Sequence, residues 1–318
     1  MTEMVFGHVA AARSSEPILT RWWRTVDRWT VGAVLGLIVI GLVVGMAASA
    51  PLAERLGLPP FYFVIRQAAF ALLGVGLMVG ISMQDVRTVR RLAVVGFVGA
   101  LLTCLALPVI GTDFGKGAVR WVSLGVLTVQ PSEFLKPAFV GCAAWVMAST
   151  FDRRGPPGKF LSFLLACSCA AMLALQPDFG QAALLLATWG VMYFVAGASV
   201  PLMVGIAGGV AAVGAFAYEN SQHFARRIDG FLAAEVDPRT QIGYATNAIQ
   251  EGGFFGVGVG EGSVKNILPD AHTDFIIAVA AEEYGLVLCV IVIGLFLFIP
   301  IRALSRLTEE RAPFARLA

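Results

Sequence analysis

Charged residues in this chain fall in clusters, and between the clusters run apolar stretches as long as a bilayer's hydrocarbon core is thick. Residues 31–50, 61–83, 92–110, 132–150, 160–176, 180–198, 200–218 and 274–301 each read as such a stretch, and a helix of about 20 residues crosses the core. In hydrocarbon every backbone N–H and C=O must find its partner within the protein, so single runs of this kind have to be helical. The expected fold class is therefore all-α, a polytopic membrane helical bundle of about eight transmembrane helices. Composition agrees: 58% hydrophobic against 14% charged residues is too little polar surface for a soluble fold of 318 residues.

Lys and Arg in short loops favour the cytoplasmic side. Arg13, Arg21, Arg24 and Arg28 precede the first run, and Arg87, Arg90 and Arg91 separate the second from the third. Arg153, Arg154 and Lys159 separate the fourth from the fifth, and Arg302, Arg306, Arg311 and Arg316 follow the last. All fall on one side, which predicts two cytoplasmic termini: a tail over 1–30, a transmembrane domain over 31–301 and a second tail over 302–318. Residues 1–29 are polar rather than signal-like, so the first helix is expected to be an uncleaved anchor. Trp22, Trp23 and Trp29 read as an interfacial aromatic belt. Cys104, Cys142, Cys167, Cys169 and Cys289 lie in apolar stretches and read as packing residues. A net charge of +2 gives no electrostatic case for a nucleic-acid partner.

The opposite face receives residues 111–131 and a long outer segment, 219–273. The latter contains a glycine-rich run from Gly252 to Gly262, followed by Leu268-Pro269-Asp270. Without Gly-Lys-Ser or Gly-Lys-Thr the run is no nucleotide loop; its glycines permit tight turns and close backbone approach.

Ionisable groups at membrane depth are costly and mark functional candidates. In Gln130-Pro131-Ser132-Glu133-Phe134-Leu135-Lys136, Pro131 and Ser132 suit a helix start. Glu133 and Lys136 lie three apart on one face and can pair. A packing ion pair and a functional carboxylate are equal readings for Glu133, while Lys136 suits a pyrophosphate. Asp178 reads first as the cap of the following helix. Arg120 reads first as a snorkelling interfacial arginine, although its side and depth also fit a phosphate. Asp274 is either an N-cap or a general base that takes a proton from a sugar hydroxyl. His272 is a second titratable group beside it, in a position where a structural role is the commoner one. Glu282 and Glu283 sit inside the last run, and at least one should meet a partner within the bundle.

Five motifs combine these residues: Gly117-Ala118-Val119-Arg120-Trp121, the Gln130–Lys136 segment, Gln176-Pro177-Asp178-Phe179-Gly180, the Gly252–Ser263 run, and Leu268-Pro269-Asp270-Ala271-His272-Thr273-Asp274-Phe275 with Glu282-Glu283-Tyr284-Gly285. In this order they resemble the SEDS family of shape, elongation, division and sporulation proteins, from the first span onward. Ala271 between acid and histidine resembles the division branch.

The resemblance implies a peptidoglycan glycosyltransferase that polymerises lipid II into glycan strands during septal wall synthesis, with undecaprenyl pyrophosphate as leaving group. It implies a class B penicillin-binding transpeptidase and other divisome membrane proteins as partners, in the bacterial inner membrane with the active site on the periplasmic side. The family's essential carboxylate matches Asp274 and its lysine matches Lys136. Arg120, Glu133, Asp178 and His272 match further motif positions, and Gln130 and Ser132 share the Lys136 motif as candidate substrate contacts. A divalent cation, Mg or Mn, is an optional aid to the leaving pyrophosphate. Family members have ten helices, the last two carrying Pro-x-x-Gly, Leu-Pro and Ser-Tyr-Gly-Gly; this chain ends at Ala318 before them, so a truncated chain with activity in question is the expectation. Thr240 stands where a tyrosine is usual, and Ile277 where a phenylalanine is. Two rival functions share the motifs: a lipid II flippase, which needs access from both faces and no general base, and a non-catalytic division scaffold.

Overall fold

The computed structural model describes residues 17–112, 119–125, 127–152, 155–232, 237–268, 271–307 and 312–318. Of the residues singled out above, Arg13, Gly117, Ala118, Arg153, Arg154, Pro269, Asp270 and Arg311 lie outside the described residues.

The helices in chain order are α1 (Ile18–Thr25), α2 (Arg28–Arg55), α3 (Tyr62–Ser82), α4 (Val86–Ile110), α5 (Pro131–Ala148), α6 (Gly158–Leu175), α7 (Phe179–Val195), α8 (Val200–Asn220), α9 (Gln222–Leu232), α10 (Gln241–Gly252), α11 (Ile276–Leu307) and α12 (Pro313–Leu317). Seven of them, α2 to α6, α8 and α11, are long and apolar enough to cross a membrane, and α7 is a shorter apolar helix. Each expected span thus meets one helix, in order. A small antiparallel hairpin, β1 (Val122–Ser123) with β2 (Thr128–Val129), lies between α4 and α5. The segment 219–273, expected as a loop, contains α9 and α10.

Local chemistry sets several boundaries. Before α4, the Asp85 carboxylate accepts from Thr88 N–H at 3.1 Å, an N-cap. Hydrogen bonds from Thr88 hold that carboxyl below its usual range. α5 starts with Pro131 in its first turn, where a missing N–H costs nothing. α3 and α8 bury no residue along their length, as expected of apolar helices that face lipid.

The chain divides into two compact units. Unit 1 holds residues up to Met83 together with Ala234–Arg306, and unit 2 holds Gln84–Ala233 and Leu307–Ala318. In unit 2, α5 packs against α4, α6 and α7, around Phe139, Leu135, Met147, Leu173, Leu185 and Trp189. Small residues let these helices approach: a Cβ on Gly141 would lie 2.7 Å from that of Ala93. Cys104, Cys142 and Cys169 are buried in this core. Cys167 is exposed, a correction to its reading as a packing residue; two positions from Cys169, it points to the opposite side of α6. The last residues are also more than a tail, because α12 docks on α5 and buries Phe314 and Leu317, with the Arg90 guanidinium 4.5 Å above the Phe314 ring.

In unit 1, α2 packs on α3, and Gln67 Nε2 donates to the Gly41 carbonyl at 3.2 Å across that contact. An apolar cavity of roughly 390 Å³ lies between α2, α3 and α11, with Gln67 as its polar wall; none of the candidate site residues lines it. α11 is not a continuous helix. At Gly285 the backbone turns to φ 79°, ψ −178°, so a short helix over 276–284 precedes the apolar stretch that continues to Leu307. Arg302 and Arg306 near the end of α11 both reach Asp27 before α2. The start of the first span and the end of the last therefore share one end of unit 1.

Candidate functional site

Unit 2 gathers six of the candidate residues. At the start of α5, Lys136 Nζ lies 2.8 Å from Glu133 Oε2. The other carboxylate oxygen of Glu133 accepts from Gln181 Nε2 of α7, also at 2.8 Å. Glu133 thus joins two helices through one cation and one amide, and Lys136 keeps ammonium donors beyond that bond.

Asp178 does not cap α7. Its side chain makes no capping bond, and its backbone at φ −107°, ψ 59° lacks the extended geometry that aims a cap oxygen at the first turn. The carboxylate is buried instead, 3.9 Å from the Arg120 guanidinium and accepting from Gln130 Nε2 at 3.4 Å. Arg120 is correspondingly no snorkelling side chain. It donates to the Gln176 carbonyl at 3.4 Å and to the Pro177 carbonyl, and so holds the turn that leads into α7. The bland readings of both residues give way for one reason: the tight turn after α6 presents carbonyls and a carboxylate that only a guanidinium fork can serve together. Gln176 has its own task. Its amide donates at 2.7 Å to the Cys104 carbonyl, which Pro108, four residues on in α4, cannot reach with an N–H.

This cluster contains two cations, two carboxylates and unused polar capacity. Ser132 Oγ and Gln181 Oε1 are buried without a partner among the described residues. Buried groups of that kind ordinarily find one, so the α5–α7 corner could accommodate a polar ligand group.

His272 and Asp274 belong to unit 1. Asp274 is exposed in the turn that leads into α11, and among the described residues its carboxylate makes no hydrogen bond or ion pair. It is not the N-cap expected as the plain reading: α11 begins at Ile276, and the carbonyl that accepts from Ala278 and Val279 is that of Phe275. His272 is half-buried, its ring 5.5 Å from that of Phe63. Glu282 and Glu283 are both buried. Glu282 accepts from Ser263 and Val264 of the glycine-rich segment, while Glu283 pairs with Lys265 at 2.5 Å.

Three participants were given no role from the sequence: Gln176, although it opens one of the motifs, Gln181 and Lys265. Gln181 is the sole amide or charge within the apolar α7, and Lys265 is the one Lys or Arg between Arg239 and Arg302, so each carried a signal in its isolation. Among the described residues no three of His, Cys, Asp and Glu lie close enough to hold a metal ion. The described donors therefore do not by themselves assemble a protein-held divalent-cation site.

The family of FtsW, RodA and SpoVE, described as cell cycle proteins, matches residues 28–318. A probable peptidoglycan glycosyltransferase FtsW of Caulobacter vibrioides is 39% identical over 311 residues, covering 97% of this chain and 79% of the relative. Its counterpart in Trichlorobacter lovleyi is 37% identical over 295 residues, covering 89% and 76%. Among solved structures, the rod shape determining protein RodA of Thermus thermophilus superposes with a TM-score of 0.64 at 25% identity, over 93% of this chain and 79% of that one. A chain from a peptidoglycan synthase complex that coordinates polymerization and crosslinking shares the fold with a TM-score of 0.70 at 24% identity, over 92% and 81%.

Proposed function

This chain belongs to the FtsW, RodA and SpoVE family of cell cycle proteins, and from that membership we propose that it is a peptidoglycan glycosyltransferase, polymerising lipid II into glycan strands at the division septum. The observation that carries the chemistry is the exposed Asp274 carboxylate, which no described protein group neutralises. A general base has to be free to meet its proton, and a carboxylate already tied in an ion pair or a helix cap is not.

In the proposed reaction Asp274 takes the proton from the acceptor sugar's hydroxyl as that oxygen attacks the anomeric carbon of the donor. The new C–O bond forms as the bond to pyrophosphate breaks, and direct displacement turns an α-linked pyrophosphate into a β-glycosidic link. The electron pair leaves with undecaprenyl pyrophosphate. Lys136 and Arg120 are assigned to that leaving group, whose negative charge grows in the transition state. Gln130, Ser132, Glu133 and Asp178 orient those two cations or contact the substrate, and His272 is assigned to the acceptor side of the same chemistry.

The chain is a multi-pass membrane protein. We place it in the inner membrane, with the termini of this chain cytoplasmic and the chemistry on the periplasmic face. A class B penicillin-binding transpeptidase is the proposed partner, along with other divisome membrane proteins; likeness to a chain from a polymerising and crosslinking complex supports this.

The test is polymerisation of labelled lipid II by the purified protein with its transpeptidase partner, beside Asp274→Ala. Strands from the parent that disappear with the substitution support the enzyme and its base. Normal polymerisation by a folded Asp274→Ala would refute the assignment, and lipid II translocation without polymer would favour the flippase.

A further inference from the structure

Unit 1 concentrates its buried charge at the break in α11. Glu282 and Glu283 are each 1% exposed, and they close the last turn before Gly285, whose φ/ψ region is open essentially to glycine alone. A broken helix frees backbone groups that hydrocarbon cannot satisfy. The glycine-rich segment satisfies them. Val257 N–H donates to the Glu282 carbonyl at 2.8 Å and Gly258 N–H to that of Glu283 at 3.2 Å. In return Leu286 N–H donates to the Gly253 carbonyl at 2.9 Å and Val287 N–H to that of Phe254 at 3.3 Å.

The two carboxylates extend the same contact. Glu282 accepts from Ser263 N–H at 2.7 Å, Ser263 Oγ at 3.2 Å and Val264 N–H at 3.1 Å. Glu283 accepts from Gly260 N–H at 3.1 Å and from Lys265 Nζ, which also donates to the Gly260 carbonyl at 2.8 Å. The fit is tight: a Cβ on Gly256 would lie 2.1 Å from the Glu283 carbonyl oxygen, and one on Gly262 would lie 2.7 Å from Glu282 Oε2.

In sequence the same segment leads to Asp274. Val264, Leu268 and Ala271 are buried with Ala245, Ala248, Ala278 and Val279, and the Arg55 guanidinium holds the Asn266 carbonyl. Asp274 comes three residues after Ala271 and has no described bond of its own. Its place is set by how the backbone on either side is held.

We propose that Glu282, Glu283 and Lys265 are positioning residues for the glycosyl transfer, clasping the glycine-rich segment to the break in α11 so that Asp274 is held where the acceptor hydroxyl arrives. The inference rests on Asp274 being the general base. Misplacing a catalytic group by about 1 Å costs on the order of a hundredfold in rate, so a loosened clasp acts on turnover more than on substrate binding.

The experiment uses the full chain with its transpeptidase partner in lipid nanodiscs, with lipid II as substrate. It compares Gly262→Ala, Glu282→Gln, Lys265→Met and Lys265→Arg with Asp274→Ala as control. For each, kcat and KM, the melting temperature and amide hydrogen exchange over residues 257–275 are measured. In Gly262→Ala, Glu282→Gln and Lys265→Met, kcat should fall at least about tenfold, toward the hundredfold scale of a displaced catalytic group, with KM little changed and exchange faster at Gly260, Ser263 and Val264. Lys265→Arg should restore most of what Lys265→Met loses. If Glu282→Gln does not fold, Gly262→Ala carries the test, since it shifts the segment without leaving a charge unpaired. Normal kcat in a variant whose segment exchanges faster would overturn the proposal, as would lost kcat with exchange unchanged. If Asp274→Ala polymerises normally, the reading of the base fails instead, and the exchange data still report separately on whether the clasp exists.

Discussion

The carboxylate of Asp27, immediately before the first long helix, accepts a hydrogen bond at 3.0 Å from Nε of Arg302, 275 positions further along the chain. Arg306 stands 3.2 Å from the other oxygen. The Arg302 hydrogen bond is the main reason that the Asp27 carboxyl titrates below the usual carboxylate range. A lowered pKa in the folded state means stabilisation that is present above the unfolded value and lost as pH falls through the folded one. Wild type and Asp27→Asn should therefore melt at different temperatures near neutral pH, with wild type the higher. The gap should close progressively below about pH 4, the ordinary aspartate range. Melts in detergent from pH 7 downward measure it, and a gap independent of pH would reject the linkage.

Asp274→Ala should separate chemistry from stability. Because the carboxylate is exposed and makes no described bond, its removal should change stability by no more than about 0.5 kcal/mol. Loss of a general base should slow lipid II polymerisation by about 10²–10⁴-fold. A gel of labelled glycan strands beside a melting curve reads both quantities.

Glu133 and Lys136 form one ion pair but should respond differently. The pair is partly open to its surroundings, so Glu133→Gln should cost about 1 kcal/mol or less. Lys136→Met, which removes a cation assigned to the leaving group, should lower kcat by about 10²–10³-fold, the scale of a lost electrostatic stabiliser. Equal and small kinetic effects of the two changes would reduce the pair to packing.

Arg120→Ala should destabilise the turn before α7. It removes donors from two carbonyls and leaves the buried Asp178 without its cation, a loss of about 1–3 kcal/mol. A double-mutant cycle with Asp178→Asn should show coupling, because the two side chains share one network. Additive effects would mean that Arg120 serves the carbonyls alone.

Gly285→Ala tests the break in α11. A non-glycine residue there adopts a disfavoured φ of 79°, at a cost of about 1–3 kcal/mol, and its Cβ would meet the Phe254 carbonyl oxygen at 2.3 Å. The melting temperature should fall, and hydrogen exchange should quicken at Val257 and Leu286. An unchanged melt would mean that the helix can close over the break.

Much of this architecture was legible in the chain itself. Apolar stretches of membrane length locate the long helices to within six residues at either end, because the hydrocarbon thickness and internal hydrogen bonding favour no other solution. The Glu133–Lys136 pair was equally legible, since both residues sit on one helix whose periodicity is known in advance. Family motifs picked out Arg120, Asp178 and Asp274 as residues of interest, but the plain local readings, a snorkelling side chain and two helix caps, are not what the structure shows. Asp178 and Asp274 both stand near helix starts, and the rule that acids there act as caps describes neither.

What the sequence determined by itself was much of what depends on neighbours within a turn or two: the order and approximate place of the spans, and the same-face pairing of Glu133 with Lys136. What only the tertiary structure decided was where long-range partners come from. Arg120 finds the carbonyls of Gln176 and Pro177, Glu283 finds Lys265, and Asp27 finds Arg302. Those choices depend on how helices and turns distant in the chain pack, and on a break at Gly285 that a continuous apolar run conceals. Hydropathy records how much of a segment can be buried; it does not record which buried group meets which.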